Sequence, residues 1–408
     1  MLPTRIMRGA DAHQLNEERA TSTGLEHALA TFDKWLHLPD HGPILVVLGC
    51  IAANLMEGDP VWLLLVGPPG SGKTEMLQPL AGLPNVHMAS TLTEPSLLSG
   101  TSRRDRAANS KGGLLRQIGE FGFIACKDFT SILAMHRDAR SSLLAAFREI
   151  YDGSWIRHVG SDGGQTLSWS GKVAVIAGCT ATIDSHHSVM AAMGERFVLY
   201  RMPPIDEFEQ ARRALSHGGK ETIMRSELTK SVTDLFRDID QPSSVALADD
   251  EQARLIALTT LAVRCRSAVE RDGHTREIEL VPDPEAPGRL ALALSRLFGG
   301  MSAIGVKRYQ IWRVLTKVAL DCMPALRRKI FEFLYERTKP SNLATIAVAL
   351  KYPQPTTRRA LEDLTAHGVL RRHQQGTGKS DLWDLSPWTR DQCSRAGLSV
   401  SEMSDGQR

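Results

Sequence analysis

The sequence predicts an α/β protein built on a parallel sheet, followed by a helical region and a small C-terminal unit. Three observations lead there. Residues 61–66 are a continuous apolar run bounded by turn residues, the pattern of a strand buried on both faces. That run passes directly into Gly67-Pro68-Pro69-Gly70-Ser71-Gly72-Lys73-Thr74 and then into a helical pattern beginning near Glu75. Further strand candidates at 86–90, 121–126, 173–177 and 197–202 are separated by helical patterns, as parallel strands require.

The first 24 residues read as irregular. Leu25, Leu29, Phe32 and Leu36 share one helical face, and Pro43 opens a second helix running to about Met56. Asp59-Pro60 breaks it before the first strand. Residues 206–271 are helical in pattern, with Leu228, Val232, Leu235 and Phe236 as one apolar face; 282–287 form a proline-rich loop and 288–302 a further helix. This divides the chain into an N-terminal helical segment (1–60), an α/β core (61–204), a helical lid (205–320), a C-terminal unit (321–388) and a polar, disordered tail (389–408).

Composition narrows the classes. The chain of 408 residues is 42% hydrophobic, enough for two or three packed domains. A net charge of +3 confines any nucleic-acid contact to one face or unit. The six cysteines lack metal or redox spacing and read as reduced core thiols of a cytoplasmic protein. The apolar stretch at 44–56 falls short of the roughly 20 residues that span a bilayer, so no membrane role is expected.

The glycine-rich segment is a P-loop. Its backbone amides must turn toward phosphate oxygens, which is cheap only without a Cβ. Gly67 through Glu75 would cradle a nucleotide, with the Lys73 ammonium on the β/γ-phosphates and the Thr74 hydroxyl on Mg²⁺. Asp128, after the 121–126 strand, is the carboxylate placed to hold Mg²⁺ or polarise water; its neighbours are Lys127 and Phe129.

Beyond the P-loop, the order of motifs resembles AAA+ ATPases of the minichromosome maintenance (MCM) type, as carried by bacterial phages and genomic islands. Gly112-Gly113-Leu114-Leu115 and the 121–129 segment match that family's acidic strand and its approach. If aligned without gaps, Lys127 takes the place of the metal-binding Asp and Asp128 that of the catalytic Glu. Two β-rich runs around Asp162-Gly163-Gly164 form a hairpin signal before the next strand, similar to the family's pore hairpin, with Arg157 and His158 on its arm rather than a basic residue at its tip. The 173–180 strand resembles sensor 1, making Thr180 the water-orienting residue and Cys179 the aligned alternative. Gly194-Glu195-Arg196-Phe197 resembles the arginine-finger motif, and Pro287-Gly288-Arg289-Leu290 the sensor-2 segment. About 60 residues precede the first strand, too few for the N-terminal DNA-binding region of full MCM proteins.

The C-terminal unit reads as three helices and a hairpin, a winged helix-turn-helix. Thr356, Thr357, Arg358 and Arg359 would open its recognition helix, and Arg371, Arg372 and Lys379 would make its wing basic. Duplex DNA and a docked protein are both open as its partner. The resemblance implies ATP and Mg²⁺ as cofactors, DNA as partner, and a homo-oligomeric ring, a hexamer in the family. It implies a helicase or replication initiator. A DNA-bound nucleotide switch or loader, or a MoxR-like remodelling chaperone, is the alternative.

Overall fold

The computed structural model describes residues 24–99, 112–159, 165–192, 194–239, 245–376 and 378–399. Residues 1–23, the Asp162-Gly163-Gly164 turn signal and the end of the tail lie outside the described residues.

Residues 24–35 form α1, and the apolar stretch becomes α2 (Gly42–Leu55). The core then alternates as expected: β1 (Trp62–Val66), α3 (Lys73–Leu77), β2 (Val86–Ala89), α4 (Glu94–Leu97), α5 (Leu114–Ile118), β3 (Phe121–Cys126), α6 (Thr130–Leu133) and α7 (Arg137–Tyr151). A hairpin of β4 (Ser154–Val159) and β5 (Gln165–Ser170) precedes β6 (Lys172–Cys179), α8 (His187–Ala192) and β7 (Phe197–Arg201). Among the described residues the main sheet has five parallel strands in the order β2-β3-β6-β1-β7. Every residue of β1 is buried, which explains its unbroken apolar run. Trp62 anchors it: the indole donates to the Val173 carbonyl at 2.8 Å and packs against Phe147, Tyr151 and Phe197.

Behind the glycine-rich loop the structure departs from expectation. The helix there is only five residues long and passes into a 3₁₀ turn, Gln78–Gly82. Pro79 is the cause, since it brings no amide to continue the helical ladder.

The region expected to be a lid consists of α9 (Glu207–Ser216), α10 (Glu221–Phe236), α11 (Asp249–Arg266), a ribbon of β8 (Glu270–Arg271) and β9 (Ile278–Leu280), α12 (Gly288–Ala303) and α13 (Arg308–Asp321). α12 packs along α2, and α13 lies against β7, where the Asp321 carboxylate accepts the Arg201 amide at 2.7 Å. These two helices therefore share the core of the sheet.

Next come α14 (Ala325–Tyr335), β10 (Ser341–Asn342), α15 (Leu343–Leu350), α16 (Gln354–Ala366), β11 (Leu370–His373) and β12 (Leu382–Leu385). Asn342 caps α15 by accepting the Thr345 amide at 2.9 Å. β12 pairs antiparallel with both β10 and β11. The tail corrects the expectation of disorder. Pro387–Arg395 form α17, capped by Ser386, and Thr389, Cys393, Ala396 and Leu398 are buried, with the helix packed on α11. Its few apolar residues meet an existing apolar surface, which composition alone does not reveal. No helix among the described residues is long and apolar enough to cross a membrane.

Candidate nucleotide site

Because β1, β6 and β3 are neighbours and parallel, their C-terminal ends share one edge of the sheet. The glycine-rich loop leaves β1 there, tied to β6 by the Gly67 amide donating to the Cys179 carbonyl at 3.0 Å. Gly70 and Gly72 take φ values of 79° and 80°, where a side chain would strain the turn. The Lys73 ammonium folds back over the loop, donating to the Gly67 and Pro68 carbonyls at 2.7 Å each and to Ser71 Oγ at 3.1 Å. Burial lowers the pKa of Lys73, and the nearby Asp128 carboxylate acts in the opposite sense. Pro68, Pro69, Gly70 and Thr74 are exposed.

Asp128 follows β3 and is exposed, its carboxylate accepting the Thr130 amide at 2.9 Å. Thr180 follows β6; its amide donates to Thr130 Oγ1 at 3.0 Å and its hydroxyl donates to Thr182 Oγ1 at 2.9 Å. Thr130, which sequence reasoning missed, thus bridges the turns that carry Asp128 and Thr180. Cys179 is buried, and burial pushes its thiol up to about 11, leaving it a packing residue. The structure accordingly brings Lys73, Thr74, Asp128 and Thr180 to one edge. Thr74 and Asp128 are the groups there that could hold Mg²⁺.

Two further side chains brace the loop. Gln210 of α9 donates to the Gly70 carbonyl at 2.7 Å, and Arg225 of α10 pairs with Glu75 at 3.0 Å. Neither has a sequence signal, because the helices that carry them are distant in the chain.

Arg196 and Arg289 lie elsewhere. β7 runs parallel to β1 with Phe197 opposite Trp62, so Arg196 stands where the strands begin. The P-loop stands where they end, a strand length of roughly 16 Å away. Arg196 is buried, donates to both Asp152 carboxylate oxygens at 3.1 and 2.9 Å, and lies 5.4 Å from the Tyr151 ring. Arg289 donates to the Gly194 carbonyl at 2.7 Å and keeps 39% of its side chain exposed. A Cβ placed on Gly194 would lie 3.2 Å from Arg196 Nη1 and 3.6 Å from Arg289 Nη1, so the two guanidiniums converge. Behind them Arg266 pairs with Glu285 at 2.6 Å, and burial raises Glu195 to about 7.

The residues expected to touch DNA separate into two groups. Arg157 pairs with Glu94 at 2.9 Å and donates to the Leu98 carbonyl, which corrects its expected role as a presented cation. Thr357 is also corrected: it is fully buried, its hydroxyl donating to the Pro353 carbonyl at 3.1 Å. Arg371 and Arg372 are paired within the hairpin, with Asp384 at 3.1 Å and Asp381 at 2.7 Å, so the wing is not the free basic strand expected. His158, Thr356, Arg358, Arg359 and Lys379 are exposed.

Strand, loop and short helix together define a mixed α/β fold of the P-loop type. No protein-family model matches the chain. No curated protein matches it. Among solved structures, a candidate ATPase from Cytophaga hutchinsonii is similar over 75% of this chain and 89% of its own, at 14% identity and a TM-score of 0.44. That likeness is too distant to transfer a residue role.

Proposed function

We propose that the chain is an AAA+ ATPase that hydrolyses ATP with Mg²⁺ and works as one subunit of a ring. One observation carries this reading: Lys73, Thr74, Asp128 and Thr180 share one sheet edge, while Arg196 and Arg289 converge at the other. Phosphoryl transfer needs cations around the transferring group, and this chain's two arginines stand a strand length from its own P-loop. A second copy can deliver them, and copies joined loop edge to arginine edge repeat head to tail and close into a ring. Arg196 would leave Asp152 for the neighbour's phosphate, exchanging one anion for another.

Within that class we assign the chain to DNA work of the MCM-like kind, helicase or replication initiator of a mobile element. The support is the position of the β4–β5 hairpin immediately before β6 and the exposed Arg358 and Arg359 on α16. The three helices with their β10-β12-β11 sheet act in this reading as a winged helix on duplex DNA. A slowly hydrolysing nucleotide switch is the second reading, favoured by Lys127-Asp128, which offers one carboxylate where metal binding and water activation ordinarily use two.

The test uses two variants, each inactive alone. Lys73→Ala removes the phosphate ligand and Arg196→Ala the cation supplied to the neighbour. Mixed, they should regain part of the wild-type ATPase rate, since some interfaces then pair an intact loop with an intact arginine. Failure to regain activity across mixing ratios, with subunit exchange shown by mass, overturns the ring reading.

A further inference from the structure

At the end of the sheet opposite the P-loop, Phe121 opens β3 beside Lys172, which opens β6, and both line a cavity of about 890 Å³. Its other walls come from distant parts of the chain: the end of α2, the turn before β2, the end of α10 and one face of α12. Phe121 and Phe123, two residues apart and so on one side of β3, meet edge to face at 5.4 Å. Leu55, Leu83 and Phe236 extend this apolar lining. Two cations share the space with the hydrocarbon. The Lys172 ammonium donates to the Met56 carbonyl and has two further protons to give. Arg296 lies against the Gly58 turn, where φ is 94° and a Cβ would stand 2.5 Å from Nη2. Its side chain is only 19% exposed, and its ion pair with Asp59 is long at 3.8 Å. Among the described residues its guanidinium donates no hydrogen bond.

We infer that this cavity binds a small organic anion with an apolar body, its acidic head between Lys172 and Arg296 and its hydrocarbon against Phe121 and Phe123. The volume falls within the roughly 300–1,000 Å³ of small-molecule sites, and a mostly apolar lining with a few convergent polar groups is their usual make-up. The charge selects the ligand's sign. Two cations held close in a half-buried space repel, and an anion between them relieves both. Burial lowers the Lys172 pKa to about 8, the Arg296 charge adds to that shift, and Asp59 acts in the opposite sense. Glu57 also lines the cavity, but both it and Asp59 are exposed, so water screens the two carboxylates more than the two cations. A guanidinium fork beside an ammonium suits a carboxylate, which accepts from both. None of the lining residues belongs to the P-loop or to the turns of Asp128 and Thr180, so binding here does not depend on ATP hydrolysis.

Decanoate, decanol and decylammonium serve as probes: they share one hydrocarbon chain, differ in charge, and carry no phosphate for the P-loop to take. Calorimetric titration of the full chain at pH 7 should show decanoate bound about tenfold or more tightly than decanol, and decylammonium more weakly than either. Arg296→Gln should remove most of that advantage while decanol affinity changes less than about threefold. Ser295→Trp, which fills the cavity from α12, should lose decanoate and decanol together. Fluorescent ADP binding should stay within about twofold of wild type in both variants, which also shows that they fold. The Lys172 charge is present below about pH 8 and lost above it, so wild-type decanoate affinity should fall several-fold between pH 7 and pH 9. Lys172→Gln should bind decanoate weakly and equally at both values. The inference is overturned if decanoate does not bind below about 1 mM, or if decanol or decylammonium binds as tightly. It is equally overturned if Ser295→Trp leaves decanoate binding intact, which would place the probe on the outer surface. Should Arg296→Gln fail to fold, the three probes on wild type and on Ser295→Trp decide the matter.

Discussion

The Lys73 ammonium already has three oxygen partners within its own loop, so a phosphate would replace bonds rather than capture a bare charge. The same accounting separates arginines that look alike in sequence. All four are exposed, but Arg371 and Arg372 also answer Asp384 and Asp381 across the hairpin, while Arg358 and Arg359 stand on α16. Each phosphate contact that releases counterions contributes about 1 to the log–log salt slope of binding. Arg358→Ala with Arg359→Ala should therefore weaken duplex affinity tenfold or more and flatten the slope by about 2, while Arg371→Ala should move the slope by well under 1. Fluorescence anisotropy at several salt concentrations reads both, and an equal effect of the two changes would refute the distinction. The tight turn after β1 was legible because the glycines that need positive φ stand in consecutive sequence with Lys73 and Thr74. Pairing was not: Thr357 lies in a polar run, and only the fold shows its hydroxyl turned back onto Pro353.

At the scale of the element, α2 and α12 cross in close contact, and glycine makes that possible. A Cβ on Gly300 would overlap the Gly49 carbonyl oxygen and the Ala53 amide, so backbone, not a flexible side chain, stands in the way. Gly300→Ala should thus force the helices apart and lower stability by roughly 3 kcal/mol or more, at the upper end of overpacking costs. Urea denaturation measures it; a loss under 0.5 kcal/mol would show that the crossing relaxes freely. Strands and long helices were legible because burial imposes a period on them: β3 occupies the very residues its apolar run indicates. The five-residue α3 and α17 were not. In α3 a single proline overrides the pattern, and α17 is stabilised by a partner, α11, that no local window contains.

At the scale of the molecule the loop edge and the arginine edge face opposite ways, which gives the sheet two chemically different ends. Sequence order places the arginine motif after β6 and the loop after β1, and only the pairing of β7 beside β1 shows that they stand at different ends. The lid boundary near 205 was less legible, because α12 and α13 pack on α2 and β7 rather than on their sequence neighbours alone. The six cysteines, read at first as ordinary packing residues, have a use in the laboratory. All are reduced and buried, one each in α2, β3, β6 and α11, one just after α13 and one in α17. Burial raises every one of these thiols, Cys179 and Cys322 to about 11 and Cys393 to about 12. Only a thiolate alkylates, so each sulfur stays silent until its own surroundings open. Pulsed iodoacetamide labelling with peptide mass analysis should find Cys393 modified first, since α17 is short and carries few apolar residues, and Cys50 and Cys126 last, near the rate of global unfolding. Uniform labelling of all six would mean that the molecule opens as one unit; a staggered order would turn the chain's own sulfur atoms into a map of where it loosens.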